Sequence, residues 1–328
     1  MTGLPETMRG IVMREAGGPD VLISAELEVP APRAGEVLVR VVAAGVNGPD
    51  LVQRRGHYPP PKGASLHLGL EVSGEIVALG EGVTRWSLGD KVCALTNGGG
   101  YAEYVAVDAG HVLPLPEGVD MVDAAGLCET YFTVWSNVFL GHTIPEGGNF
   151  LVHGGAGGIG STAIQLGAAL GLFVLTTVEA RDKDFVTALG AARAIDFREE
   201  DFVEIARAAG GADIVLDIIG GPYVARNIKA CRHDARIIQL AFNGGSKVEI
   251  DLMPVMLKRL SYTGSTLRSR PESFKTQVAA DLADKVWPLF AKGQLRAVTH
   301  TVLPLEEAAK AHELMESAGQ QGKILLTT

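Results

Sequence analysis

Phe150-Leu151-Val152-His153-Gly154-Gly155-Ala156-Gly157-Gly158-Ile159-Gly160 is an apolar run that ends in glycines. Gly155, Gly157 and Gly160 satisfy G-x-G-x-x-G. Ala163, Leu166, Gly167 and Leu170 follow at helical spacing, so the glycines join a strand to a helix. In that setting the spacing has a physical meaning. Glycines permit a tight turn and close backbone approach, and the helix N-terminus offers free N–H groups and partial positive charge to a pyrophosphate. Gly155, Ala156, Gly157, Gly158, Ile159 and Gly160 are therefore expected to bind a dinucleotide.

Downstream, strands and helices alternate. Phe173–Thr177, Ala194–Phe197, Ala212–Ile219, Ala235–Ala241 and Leu260–Gly264 read as further strands. Helical stretches fit between them, as at Asp182–Leu189 and Asp201–Ala209. Continuous apolar strands alternating with helices predict an α/β fold, a doubly wound parallel sheet. Upstream the pattern differs. Val37, Val39 and Val41 alternate with Leu38 and Arg40, and short strands recur between Gly and Pro turns, as at Gly80-Glu81-Gly82 and Gly98-Gly99-Gly100. That predicts a small, mostly-β, barrel-like domain. The tail returns to strand character at His300–Leu303 and Lys323–Leu326, around an amphipathic helix near Leu305–Met315. The expected division is 1–123 with 292–328 for the β domain and 124–291 for the nucleotide domain.

The remaining composition narrows the function classes. Hydrophobic residues are 47% and charged residues 20% of 328, an ordinary globular balance. Thirty-eight acids against 29 bases give a net charge of −9 without a basic cluster, which argues against nucleic acid or an anionic membrane as partner. No apolar run approaches a membrane span. The opening MTGLPETMRG lacks an apolar stretch, so no secretory signal is expected. Cys93, Cys128 and Cys231 are odd in number and far apart, which fits a reducing cytoplasm rather than a disulfide scaffold.

Several segments, in order, carry a resemblance. They are Gly17-Gly18-Pro19-Asp20-Val21-Leu22, Gly45-Val46-Asn47-Gly48-Pro49-Asp50, Arg54-Arg55-Gly56-His57-Tyr58-Pro59-Pro60-Pro61 and Leu68-Gly69-Leu70-Glu71-Val72-Ser73-Gly74. Gly89-Asp90-Lys91-Val92, Thr266-Leu267-Arg268-Ser269-Arg270 and Gly322-Lys323-Ile324 add to them. Together with the glycine loop they resemble the zinc-free quinone oxidoreductases of the medium-chain dehydrogenase/reductase superfamily, nearest the subgroup typified by the p53-inducible quinone oxidoreductase. The resemblance implies a GroES-like catalytic domain, a Rossmann domain, a cleft between them for nicotinamide and substrate, NADPH preference, and dimers or tetramers.

Departures from the subgroup bear on the cofactor. Gly157 stands where the subgroup has serine, and Asp182 where it has a lysine, with Lys183 one place on. Glu179, nineteen residues past Gly160, is placed to bind ribose hydroxyls and favours NAD(H). Arg181 and Lys183 are placed to pair with a 2′-phosphate, and Thr177 is neutral. The expectation is NADP(H), with NAD(H) as the alternative. Thr133 resembles the family threonine near the nicotinamide ribose, and Phe197, Phe242 and Lys323 complete the expected cofactor set.

Metal chemistry is not expected. Zinc relatives use a cysteine and a His-Glu pair where this chain has Asn47, and Leu70 before Glu71, and neither side chain is a ligand that zinc prefers. His57, His67, His142 and His153 lack ligand spacing. Quinones need less help than ketones, because hydride addition gives a delocalised oxyanion. Tyr58 and Asn47 are the expected catalytic residues: Tyr58 donates a hydrogen bond to the acceptor oxygen, and Asn47 either does the same or fixes the carboxamide. Tyr131 and Trp135 can wall a pocket, but aromatics at this spacing are more often core; Cys128 is more often a buried inert thiol. The expected activity is NAD(P)H-dependent reduction of quinones. Alternatives are a zinc-free enone, alkenal or enoyl-thioester reductase, or a non-catalytic NADPH-binding protein. A homodimer is expected, with the strand near Leu260–Gly264 as the sheet edge to be paired.

Overall fold

A computed structural model describes residues 3–317 and 319–328; Met1 and Thr2, which open the N-terminal stretch read above, lie outside them. The chain forms two compact units, one up to Phe132 and again from Arg268, the other Thr133–Leu267.

The second unit is a six-stranded sheet. In spatial order its strands are Arg193–Asp196, Phe173–Val178, Asn149–His153, Ala212–Asp217, Cys231–Gln239 and Ser261–Gly264. Every pairing is parallel. Numbered along the chain, that order is 3-2-1-4-5-6, the doubly wound order in which connections diverge from the first strand. Phe150, Leu151 and Val152 are fully buried there, which is why this strand is an uninterrupted apolar run. Ligands of such sheets bind beyond the carboxyl ends of the strands at that divergence, where His153 leads into the glycines.

The first unit holds a seven-stranded sheet and a separate hairpin of Thr7–Met13 with Leu22–Glu28. At the centre, Glu36–Gly45 pairs antiparallel with Glu71–Leu79, Tyr104–Asp108 and the distant Lys323–Thr327. Ile324, Leu325 and Leu326 are buried, and that burial secures the insertion.

The compact division differs from the expected one in two segments. Residues 124–132 and 268–291 pack with the first unit. The reason is side-chain anchoring: Tyr131 meets Trp287 edge-on at 5.7 Å and Phe290 at 5.6 Å. Trp287 donates its indole N–H to the Pro114 carbonyl (2.7 Å), and Lys275 Nζ reaches Asn97 Oδ1 (2.7 Å).

Candidate functional site

The glycine loop turns from strand Asn149–His153 into helix Gly158–Ala169. Its glycines do different work. A Cβ on Gly155 would stand 2.1 Å from Thr176 Oγ1, and one on Gly160 would stand 2.2 Å from the Gly154 carbonyl oxygen. Both are required by the protein's own packing. Gly157 has an ordinary extended backbone (φ −74°) and open space, with only the Gly154 oxygen at 3.9 Å. No contact inside the protein requires glycine there, and the space leaves room for an approach from outside. Gly157 is also the helix N-cap and supplies no side-chain cap. The first-turn N–H groups, near half-buried Gly158 and Ile159, thus lack acceptors from within the helix. This arrangement fits a dinucleotide pyrophosphate.

A buried polar chain ties the strand ends beneath the loop. Asn227 Nδ2 donates to Asp217 Oδ2 (2.9 Å), which fixes the amide so that its Oδ1 faces His153 Nε2 (2.7 Å). His153 therefore carries its proton on Nε2, and Nδ1 accepts from the Thr177 hydroxyl (3.0 Å). Burial lowers the His153 pKa to about 4, so the ring is neutral and the chain keeps one order near pH 7. Thr177 is thereby committed to the interior.

Glu179 follows the second strand. Its carboxylate is clamped by Arg181 (2.9 Å) and by Arg198 (2.6 Å), whose side chains are 58% and 65% exposed. Lys183 instead holds Glu200 at 2.5 Å, where Arg193 also binds, so the ammonium is engaged away from Glu179. Phe197, 40% exposed, lies beside Arg198, whose guanidinium carbon is 5.8 Å from its ring centroid, and Phe242 is 49% exposed. Both rings are open enough to stack on a planar ligand. Thr133 opens this unit as a buried residue, its carbonyl accepting from Asn137 Nδ2 (2.8 Å). Arg198 went unread in the sequence, yet a signal existed. Asp196 pairs with Val178, so the residues following two neighbouring parallel strands emerge at one level.

In the first unit, Asn47 precedes helix Gly48–Arg54, and the Asp50 carboxylate accepts from its backbone N–H (2.9 Å). The Asn47 amide is fully occupied. Nδ2 donates to Glu71 Oε1 (2.8 Å) and to the Gly45 carbonyl (3.3 Å), while Oδ1 accepts from Lys323 Nζ (2.5 Å). Both protons of the Asn47 amide are thus bonded inside the protein. Lys323 is likewise bonded inside the protein. Its three donors go to Glu71 Oε1 (2.7 Å), Asn47 Oδ1 and the Val46 carbonyl (3.0 Å), leaving none for a cofactor. Glu71, fully buried, also accepts from the Glu129 N–H (2.8 Å).

Tyr58 is half-buried, and the Arg268 guanidinium carbon lies 5.8 Å from its ring centroid. Burial first, then Glu129, raises its pKa, with Arg268 opposing, so the phenol stays a donor at neutral pH. Tyr131 (1% exposed) and Trp135 (6%) are core aromatics, the latter stacked on Phe139 at 5.3 Å. Cys128 is buried, and burial raises its thiol pKa well above the usual value.

No group of three or more His, Cys, Asp and Glu side chains able to hold a metal exists among the described residues. The side chains at the positions of the zinc ligands do not fit zinc. Asn47 is tied to an ammonium, and Leu70 is buried and aliphatic.

A sheet in doubly wound order, with an uncapped glycine turn at its divergence, defines a dinucleotide-binding fold. Known proteins agree. Residues 33–117 match the alcohol dehydrogenase GroES-like domain family, and residues 189–326 match the zinc-binding dehydrogenase family. The chain is 33% identical to the quinone oxidoreductase of Rattus norvegicus, covering 97% of both chains. Among solved structures, an NAD-dependent alcohol dehydrogenase is 30% identical, with TM-score 0.86 over 98% of this chain and 100% of that one. The quinone oxidoreductase from Coxiella burnetii is 27% identical, with TM-score 0.81 over 98% and 99%. The chain belongs to the quinone oxidoreductase family of the medium-chain dehydrogenase/reductase superfamily. It is an oxidoreductase that uses a nicotinamide cofactor.

Proposed function

We propose that the protein reduces quinones with NADPH by metal-free hydride transfer. The observation that carries the metal-free reading is the Lys323 ammonium, bonded to both Asn47 and Glu71. A fixed cation occupies the side chains that a metal would need. On this reading the loop Gly155–Gly160 receives the pyrophosphate, and Arg181 and Arg198 turn from Glu179 to a 2′-phosphate. Phe197 and Phe242 give the cofactor's planar rings apolar faces. The bound cofactor supplies the hydride. Tyr58 donates a hydrogen bond to the acceptor oxygen, where charge develops, and Asn47 with Lys323 holds the surrounding polar frame. The rat relative's name supports the quinone as acceptor class.

The protein is further proposed to be a cytoplasmic homodimer without nucleic-acid partners. Among the described residues no helix is long and apolar enough to cross a membrane.

The test is NADPH oxidation with a quinone, an enal and an acyl thioester, each before and after dialysis against a chelator. The quinone should give the highest kcat/KM, unchanged by dialysis. Faster turnover of another acceptor overturns the substrate class, and activity that returns only with added zinc overturns the metal-free mechanism.

A further inference from the structure

Three carboxyl groups, Asp50, Glu71 and Glu129, share the polar cluster of the first unit, and their hydrogen bonds are unequal. Glu71 accepts from Asn47 Nδ2, Lys323 Nζ and the Glu129 N–H. Asp50 accepts from the backbone N–H groups of Asn47 (2.9 Å) and Gly69 (3.0 Å) and from the Tyr101 hydroxyl (3.2 Å). The Glu129 carboxyl makes no ion pair or hydrogen bond among the described residues. Bonds that favour ionisation are thus given to two of the three and withheld from Glu129. Among these three, only Glu71 holds an ammonium, that of Lys323. Like charges gathered around one cation do not all ionise together, and the excess proton falls on the group with least support. Glu129 is buried enough to disfavour its charged form yet keeps some exposure, through which solvent can restore a proton that leaves it.

We propose that Glu129 delivers the proton to the reduced acceptor and is a catalytic residue of the reaction proposed above, on which this inference rests. Hydride carries two electrons from NADPH to the quinone, which is reduced to a hydroquinone monoanion as the cofactor is oxidised. The O–H bond of the Glu129 carboxylic acid then breaks, an O–H bond forms on the quinone oxygen, and water reprotonates the carboxylate. Burial, then Glu71, raises the Glu129 pKa to about 8, against the lowering by Lys323 and Lys275, while Asp50 adds to the rise. Tyr58, Arg268 and the Cys128 thiol also lie in its field. Tyr58, the proposed hydrogen-bond donor, and Glu129 therefore act on one another directly through space.

The experiment measures kcat for NADPH and 1,4-benzoquinone from about pH 6 to about pH 10 on the full chain and on Glu129→Gln. The acid must be protonated, so the parent rate should be flat below about pH 8 and fall about tenfold per unit above it. Glu129→Gln should lose at least about tenfold in kcat near pH 7 and the break near pH 8, with NADPH Kd unchanged. Glu129→Asp, which keeps a displaced acid, should recover part of kcat with a shifted break. Infrared difference titration should find a carboxyl that deprotonates near pH 8 in the parent and is missing in Glu129→Gln. A Gln variant that keeps the parent's kcat and alkaline break overturns the assignment, as does a carboxyl already ionised at pH 7. Absence of quinone turnover in the parent overturns the functional reading itself.

Discussion

Tyr58 combines an apolar setting with a polar end. The Arg268 guanidinium lies beside its ring, and the hydroxyl has no hydrogen bond among the described residues. A phenol held this way can donate to an oxygen on which charge is growing, and the bond strengthens as hydride arrives. A quinone spreads that charge, so Tyr58→Phe should cost on the order of 1–2 kcal/mol in kcat/KM, about tenfold, with NADPH affinity unchanged. A loss of under about twofold in a folded variant would leave Tyr58 as a packing residue. Tyr58 could be singled out from sequence because the Pro59-Pro60-Pro61 run stiffens its loop. The bonding of Asn47 was not legible in the same way. Residue type advertises free amide donors, whereas their occupation is decided by Glu71 and by Lys323, 276 positions away. Glu129 was hidden for the same reason, since what singles it out is the lack of bonds that its neighbours possess.

Among the elements, the end of strand Phe173–Val178 is where cofactor preference is proposed to be set. Glu179 holds Arg181 and Arg198 in a clamp of two cations on one anion. A 2′-phosphate would compete with the Glu179 carboxylate for both guanidinium groups, while free ribose hydroxyls would leave the clamp intact. NADPH should still be preferred, and Glu179→Gln should raise the NADPH-to-NADH ratio of kcat/KM by about two- to fivefold, in line with the modest strength of exposed ion pairs. A ratio that falls would show that Glu179 does not compete with a 2′-phosphate for the two guanidinium groups. The glycine turn was legible because sterics act within a few residues: Gly155 and Gly160 are forced by contacts that lie mostly inside one strand–turn–helix unit. Arg198 belongs to the next connection, and only strand pairing brings it to Glu179.

At the scale of the molecule, the second unit leaves one flank uncovered. Leu252, Met253, Met256 and Leu257 are 55–65% exposed, and edge strand Ser261–Gly264 is exposed throughout. An apolar patch beside an open strand edge is a liability that pairing across a two-fold removes. Light scattering at micromolar concentration should give about twice 34.5 kDa, and Met256→Asp should shift the population toward single chains. A parent mass near 34.5 kDa sinks the dimer. The fold class was legible because strand–helix alternation is a local pattern, but the packing of segments 124–132 and 268–291 with the first unit was not, because their anchoring through Tyr131 and Trp287 is long-range. The insertion of Lys323–Thr327 beside Glu36–Gly45 also bears on how the protein is made. The second unit is contiguous and can close as soon as it leaves the ribosome. The first must keep its central strand waiting, because Lys323 lies 277 positions beyond the Val46 carbonyl it binds. Until then Glu71 has no cation, and the sheet carries an open edge. The early half of the first unit is thus the part of the nascent chain most in need of protection, and its maturation is timed by synthesis of its last strand.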